Sequence, residues 1–144
     1  MAESKLEAFF AQNAKQLPEK EIIVSNRFTD ADGNPIPWKI KSIDAGTYQS
    51  LRSDALDMNV KTEGGSKDVN VKYNTAKMNI RKVVASVVFP DLKNKALQDS
   101  YGVSSAAALI GVMLSDSEFD TLLDAVNDLS KNTEPEAVEE EAKN

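Results

Sequence analysis

The sequence predicts a mainly α-helical α+β fold with one small β-hairpin near the N-terminus, built as a compact helical single domain. Two observations carry this. Four stretches place apolar residues at helical spacing, the repeat of one helix face. Only one pair of short runs is β-branched or alternating and separated by turn residues. The 144 residues suit a single domain with a core of its own.

The first helix opens at Ser4. Ser4 and Glu7 have the spacing of a capping box, and Leu6, Phe9 and Phe10 follow at helical intervals. Pro18 stops it, because proline removes a donor and restricts the residue before it. Glu21 to Ser25 is β-branched and reads as a strand. Trp38 to Ile43 alternates apolar and polar and reads as its half-buried partner. Asp30-Ala31-Asp32-Gly33-Asn34-Pro35, between them, is dense in turn residues. Asp44 caps a second helix bearing Tyr48, Leu51, Ala55 and Met58. Asn59 to Tyr73 reads as a break, with a flexible connector at Gly64-Gly65-Ser66 and room for one short strand at Val69, Val71 and Tyr73.

A third helix starts at Asn74 or Thr75. Ala76, Ile80, Val83, Val84, Val87 and Val88 form its stripe, and Pro90 ends it. Asn94 to Tyr101 is a short helix with Gly102 as its left-handed stop. Ser104 or Ser105 caps the next, which runs to Leu114 with almost no polar face. Such a helix is either central in the core or covered by a partner. Ser115 and Glu118 repeat the capping-box spacing. The last helix then aligns Phe119, Leu122, Leu123, Val126 and Leu129, with Asp116, Asp120, Asp124 and Asp128 on its other side. From Ser130 the period is lost, and Glu134 to Glu141 is an acidic run. The division expected is a globular part over residues 1–129 and an acidic, disordered tail over residues 130–144.

Composition narrows the function. There is no Cys and no His, which removes thiolate nucleophiles, cysteine metal sites, the usual general base and the commonest metal ligand. A non-enzyme without cofactor is the expectation. The net charge of −6 and the scattered cations argue against a nucleic-acid partner. The first ten residues lack a basic flank before an apolar run, so no signal peptide is expected there. Val103 to Leu114 is well short of the ~20 residues of a membrane span.

Two partial motifs fail on spacing. Asp30, Asp32 and Asn34 resemble the start of a calcium loop, but Gly33 is at the fourth position and Lys41 at the twelfth, where Gly at the sixth and Glu at the twelfth are needed. A hairpin turn accounts for them better. Gly64-Gly65-Ser66-Lys67 is similar to a phosphate loop, yet Val60 holds the place of the first Gly and Lys67 follows Ser.

The most informative run is Val87-Val88-Phe89-Pro90-Asp91-Leu92-Lys93-Asn94-Lys95-Ala96-Leu97-Gln98-Asp99-Ser100-Tyr101-Gly102-Val103. It resembles the signature of XkdN-like phage tail assembly chaperones, in which a helix ending in "FP-x-L" is followed by "LQDSYGV" and an apolar helix. Leu6 to Phe10, Ile23 to Phe28, Asp32 to Pro35 and Trp38 follow the family's order. The resemblance spans roughly Lys5 to Leu129; the segment from Asn59 to Tyr73 and the acidic tail depart from it.

The resemblance implies a chaperone that coats the tape-measure protein of a long-tailed phage or prophage in the bacterial host cytoplasm. It would keep that helical chain soluble until tail-tube subunits polymerise, and be absent from the mature virion. Tail tube protein and self-association are further partners it allows. A helical client suggests an apolar face in a groove. The candidate partner-binding residues are Leu109, Val112, Met113, Phe119, Leu122, Leu123 and Val126; the competing reading is that these stripes pack on each other as core. Two other functions compete: a structural tail adaptor or connector, which purified particles would contain, and an acidic regulator of a host protein. The lack of a second sheet leans against a tube-forming role.

Overall fold

The computed structural model describes residues 5–132, so the expected Ser4 cap and the acidic tail from Thr133 onward lie outside the described residues. The fold is α+β with two separate sheets. A three-stranded antiparallel sheet has the order β1-β2-β5, from β1 (Glu19–Ile22), β2 (Trp38–Lys41) and β5 (Val87–Phe89). A second sheet is the two-stranded hairpin of β3 (Leu56–Glu63) and β4 (Ser66–Tyr73). The helices are α1 (Ala45–Asp54), α2 (Thr75–Ser86), α3 (Lys95–Ser100), α4 (Ala106–Met113) and α5 (Asp116–Lys131). The expectation of a mainly helical domain with one N-terminal hairpin is therefore corrected: two sheets are present, and the argument against a tube-forming role from a missing second sheet falls with it.

Three local differences explain the correction. The N-terminal helix is only a 3-10 turn, Lys5–Phe9, with no buried residue; without a face to bury, so short a segment gains little from helix formation. The stripe read as continuing α2 to Pro90 changes state at Val87. There the backbone becomes extended and Val87-Val88-Phe89 pairs with β2. Consecutive β-branched residues suit a strand, and Pro90 pushes the residue before it toward extended backbone. The expected break at Asn59 to Tyr73 is the regular hairpin of β3 and β4. Gly64 and Gly65 take φ of 55° and 85°, the left-handed pair that a two-residue hairpin turn requires.

Other elements follow their caps. Asp44, Asn74, Asn94, Ser105 and Ser115 each accept a backbone N–H at the start of α1, α2, α3, α4 and α5 in turn. Ser115 and Glu118 form the full capping box. Gly102 has φ 70°, and the Val103 N–H reaches back to the Gln98 carbonyl at 3.1 Å to close α3. The Asp30 carboxylate accepts the N–H groups of Asp32 and Asn34, the work of a turn residue.

The core lies between the three-stranded sheet and the helices α2, α4 and α5. Trp38 and Ile40 enter from β2, Val83 from α2, Leu109, Ile110 and Met113 from α4, and Leu122, Val126 and Leu129 from α5. Trp38 is buried, with Phe28 tilted against it at 6.2 Å between ring centroids. Arg27 ties the segment after β1 to the start of α5. Its guanidinium donates to both Glu118 carboxylate oxygens and to the Met113 carbonyl, and it lies 5.0 Å from the Phe28 ring. No helix among the described residues is long and apolar enough to cross a membrane.

Candidate functional site

The seven residues singled out from the sequence do not form one surface. Leu109, Met113, Leu122 and Val126 are in the core, and Phe119 and Leu123 are partly buried against it. Val112 is 51% exposed. The apolar face of α4 is thus largely taken up against α2, and that of α5 against α2 and the sheet, leaving Val112 and the edges of Phe119 and Leu123 accessible.

The exposed apolar surface is elsewhere, on the hairpin of β3 and β4. Side chains alternate between the two faces of a strand, and the antiparallel register pairs Leu56 with Tyr73, Met58 with Val71, and Val60 with Val69. All six therefore share one face. None of them belongs to the core cluster, and each is between 44% and 66% exposed. The opposite face is polar: Asp57 pairs with Lys72, Asn59 with Asn70, and Lys61 with Asp68. Opposite charges directly across a ladder stabilise the pair modestly.

The base of this hairpin is fixed to the body. The Asn74 N–H donates to the Ala55 carbonyl at 2.8 Å, and the Asn74 side chain donates to Asp57 at 3.1 Å. Lys77 is 3.8 Å from Asp57, and the Arg52 guanidinium is 5.7 Å from the Tyr73 ring. Full burial of an aliphatic side chain removes ~60–120 Å² at ~25 cal/mol per Å². Six such chains at about half exposure leave on the order of 300 Å² of apolar surface, comparable with the largest patch on a typical monomer, which is often functional. A two-stranded hairpin alone is marginal in water, so this face gains most when covered.

The segment that carries the family-like signature has a structural role. Phe89, Pro90, Leu97 and Tyr101 line a small cleft of about 200 Å³ together with Phe28, Ile36, Trp38 and Met113. Gln98 donates to the Leu92 carbonyl at 2.9 Å and holds α3 over the end of β5. Next to this cleft, Glu118 is held down to about 2, chiefly by the hydrogen bond from Arg27 and then by those from Ser115 and Ser25. No group of three or more possible metal-ligating side chains occurs among the described residues.

Comparison with known proteins gives the family. The family described as phage XkdN-like tail assembly chaperone protein matches residues 6–143. The chain belongs to that family. It is 27% identical over 142 residues to the phage-like element PBSX protein XkdN of Bacillus subtilis (strain 168), covering 96% of this chain and 93% of the relative. It is 28% identical over 97 residues to the uncharacterized protein YqbN of the same organism, covering 67% of this chain and 62% of that one. The crystal structure of the protein YqbN has the same fold, with a TM-score of 0.72 at 22% identity, covering 90% of this chain and 98% of that chain. As a tail assembly chaperone of a phage or prophage, the protein has phage tail proteins as its partners, and its family role is assembly rather than catalysis. Sequence reasoning missed the exposed hairpin face. The signal was present: Leu56, Met58, Val60 and Val69, Val71, Tyr73 alternate with polar residues on either side of Gly64-Gly65.

Proposed function

We propose that this chaperone binds the tape-measure protein of its phage or prophage in the host cytoplasm, keeps it soluble until the tail tube polymerises, and leaves before the virion is complete. The observation that carries the reading is the hairpin face of Leu56, Met58, Val60, Val69, Val71 and Tyr73, apolar and exposed on a chain of net charge −6. A long helical client with an apolar stripe would bury that face against its own, while the charged opposite face of the hairpin stays in water. Val112 and the accessible edges of Phe119 and Leu123 extend the candidate contact area. The acidic surface of α5, with Asp116, Asp120, Asp124 and Asp128 exposed, keeps neighbouring complexes apart by like-charge repulsion.

The test is co-expression with the tape-measure protein encoded nearby. Soluble client should increase with the wild-type chaperone and fall back with a Met58→Asp, Val69→Asp variant of equal expression. Particles purified from the same phage should contain little of the chaperone by mass spectrometry. Client solubility that does not depend on the chaperone, or stoichiometric chaperone in particles, overturns the reading and favours a structural tail component.

A further inference from the structure

We infer that a second docking site lies in the open groove between α1, α2, β5 and the start of α4, and that it takes an acidic amphipathic helix of a partner chain. The groove is about 830 Å³, with Ile80, Val84 and Val88 on its floor. Its charged lining is Lys41, Lys77, Arg81 and Lys93 against one acid, Asp91. That is a cationic excess on a chain whose net charge is −6, so it is a local feature. On α2 the residues Lys77, Arg81 and Val84 recur at steps of three and four, a stripe separate from the buried Met78, Val83 and Ser86 of the same helix.

Arg81 decides the chemistry of the occupant. Its Nε is buried and has no hydrogen-bond partner among the described residues, and no ion pair joins it to an acid there. With Nε sealed from water, the charge is open to a partner only through the other guanidinium nitrogens, and a carboxylate is the group that best pairs with them. Lys41 and Lys93 also lack ion pairs among the described residues, and Lys77 has only the long contact to Asp57 at 3.8 Å. An apolar lining with cations in excess over acids fits a helix with an apolar stripe flanked by glutamates or aspartates. The chain's own acidic segments fit less well. The Asp116, Asp120, Asp124 and Asp128 row lies on α5, whose apolar stripe is already packed into the core, and the run Glu134 to Glu141 has Val138 as its one large aliphatic residue.

The site is tested on the full-length protein with a fluorescein-labelled synthetic helix of about five turns, carrying a leucine stripe flanked by glutamates. The same helix with lysines for the glutamates is the control. Fluorescence anisotropy should show the glutamate helix binding at least about tenfold more tightly than the lysine helix, and more weakly as salt rises. Arg81→Gln should weaken it about tenfold, with an unchanged circular dichroism spectrum. All titrations are made on the Met58→Asp, Val69→Asp background, so that the leucine stripe reports the groove and not the hairpin face. Equal binding of the two helices, or wild-type affinity in the combined Arg81→Gln, Lys77→Gln variant, overturns the proposal. So does a rise of about tenfold when the five tail glutamates, Glu134, Glu136, Glu139, Glu140 and Glu141, become glutamine. That result assigns the groove to the chain's own tail.

Discussion

Leu122→Ala separates core from contact surface on α5. Leu122 is 0% exposed and sits in the cluster with Val83, Leu109, Val126 and Leu129. Truncation removes the transfer free energy of three carbons and leaves a cavity that a helix pinned by a capping box closes only in part. The expected cost is about 3–4 kcal/mol, the middle of the range for buried leucines. With an unfolding entropy of roughly 2.1 cal/mol/K per residue over about 130 ordered residues, Tm falls by about 10–15 °C. Thermal unfolding followed by circular dichroism, with Trp38 fluorescence as a second probe, measures it. Val112→Ala is the internal control: Val112 is half exposed, so its Tm should move by less than about 3 °C. If Leu122→Ala melts within about 2 °C of wild type, or no lower than Val112→Ala, the assignment of this stripe to the core is wrong.

Two further changes follow from individual groups. Glu118 has a folded pKa of about 2, below the ordinary carboxylate value of 4.5, so its contribution to stability is present above the ordinary value and is lost as pH falls toward 2. Arg27 stays charged throughout. Wild type should therefore have the higher urea midpoint at pH 6, and its lead over Glu118→Gln should shrink to less than about half by pH 3; a constant gap at both pH values contradicts the role given to the ion pair. Ser86 is buried in α2, and its Oγ has no hydrogen-bond partner among the described residues. Ser86→Ala removes an unanswered hydroxyl in favour of a better helix former, so Tm should stay level or rise by a few degrees; a fall of more than about 3 °C refutes that account.

The sequence was most legible where a local rule acts alone. The caps of α1 to α5, the stop at Gly102 and the turn at Asp30 need only neighbours along the chain, and each is where its residues point. Reasoning failed where two periods overlap. Met58 completes a helical stripe with Tyr48, Leu51 and Ala55, yet it also alternates with Leu56 and Val60, and the second pattern prevails because Gly64-Gly65 supplies a hairpin turn. At Val87 the helical stripe and a β-branched run coincide, and pairing with β2 decides in favour of the strand. The exposed apolar face proposed for the client was hard to see for a related reason. Apolar stripes on helices are usually core, as Leu109, Leu122 and Val126 are, whereas the exposed face belongs to a segment read as a connector. The cationic groove is not legible from sequence at all, since Lys41 comes from β2, Lys77 from α2 and Lys93 from the turn before α3.

The most direct test of the central claim is co-purification of the full-length chaperone with its tape-measure protein, comparing wild type with Met58→Asp, Val69→Asp. Both side chains lie outside the core, so the variant should melt close to wild type. The account predicts a soluble complex with wild type and none with the variant. A variant that folds and still captures the client as well as wild type would contradict the assignment of the hairpin as the client surface.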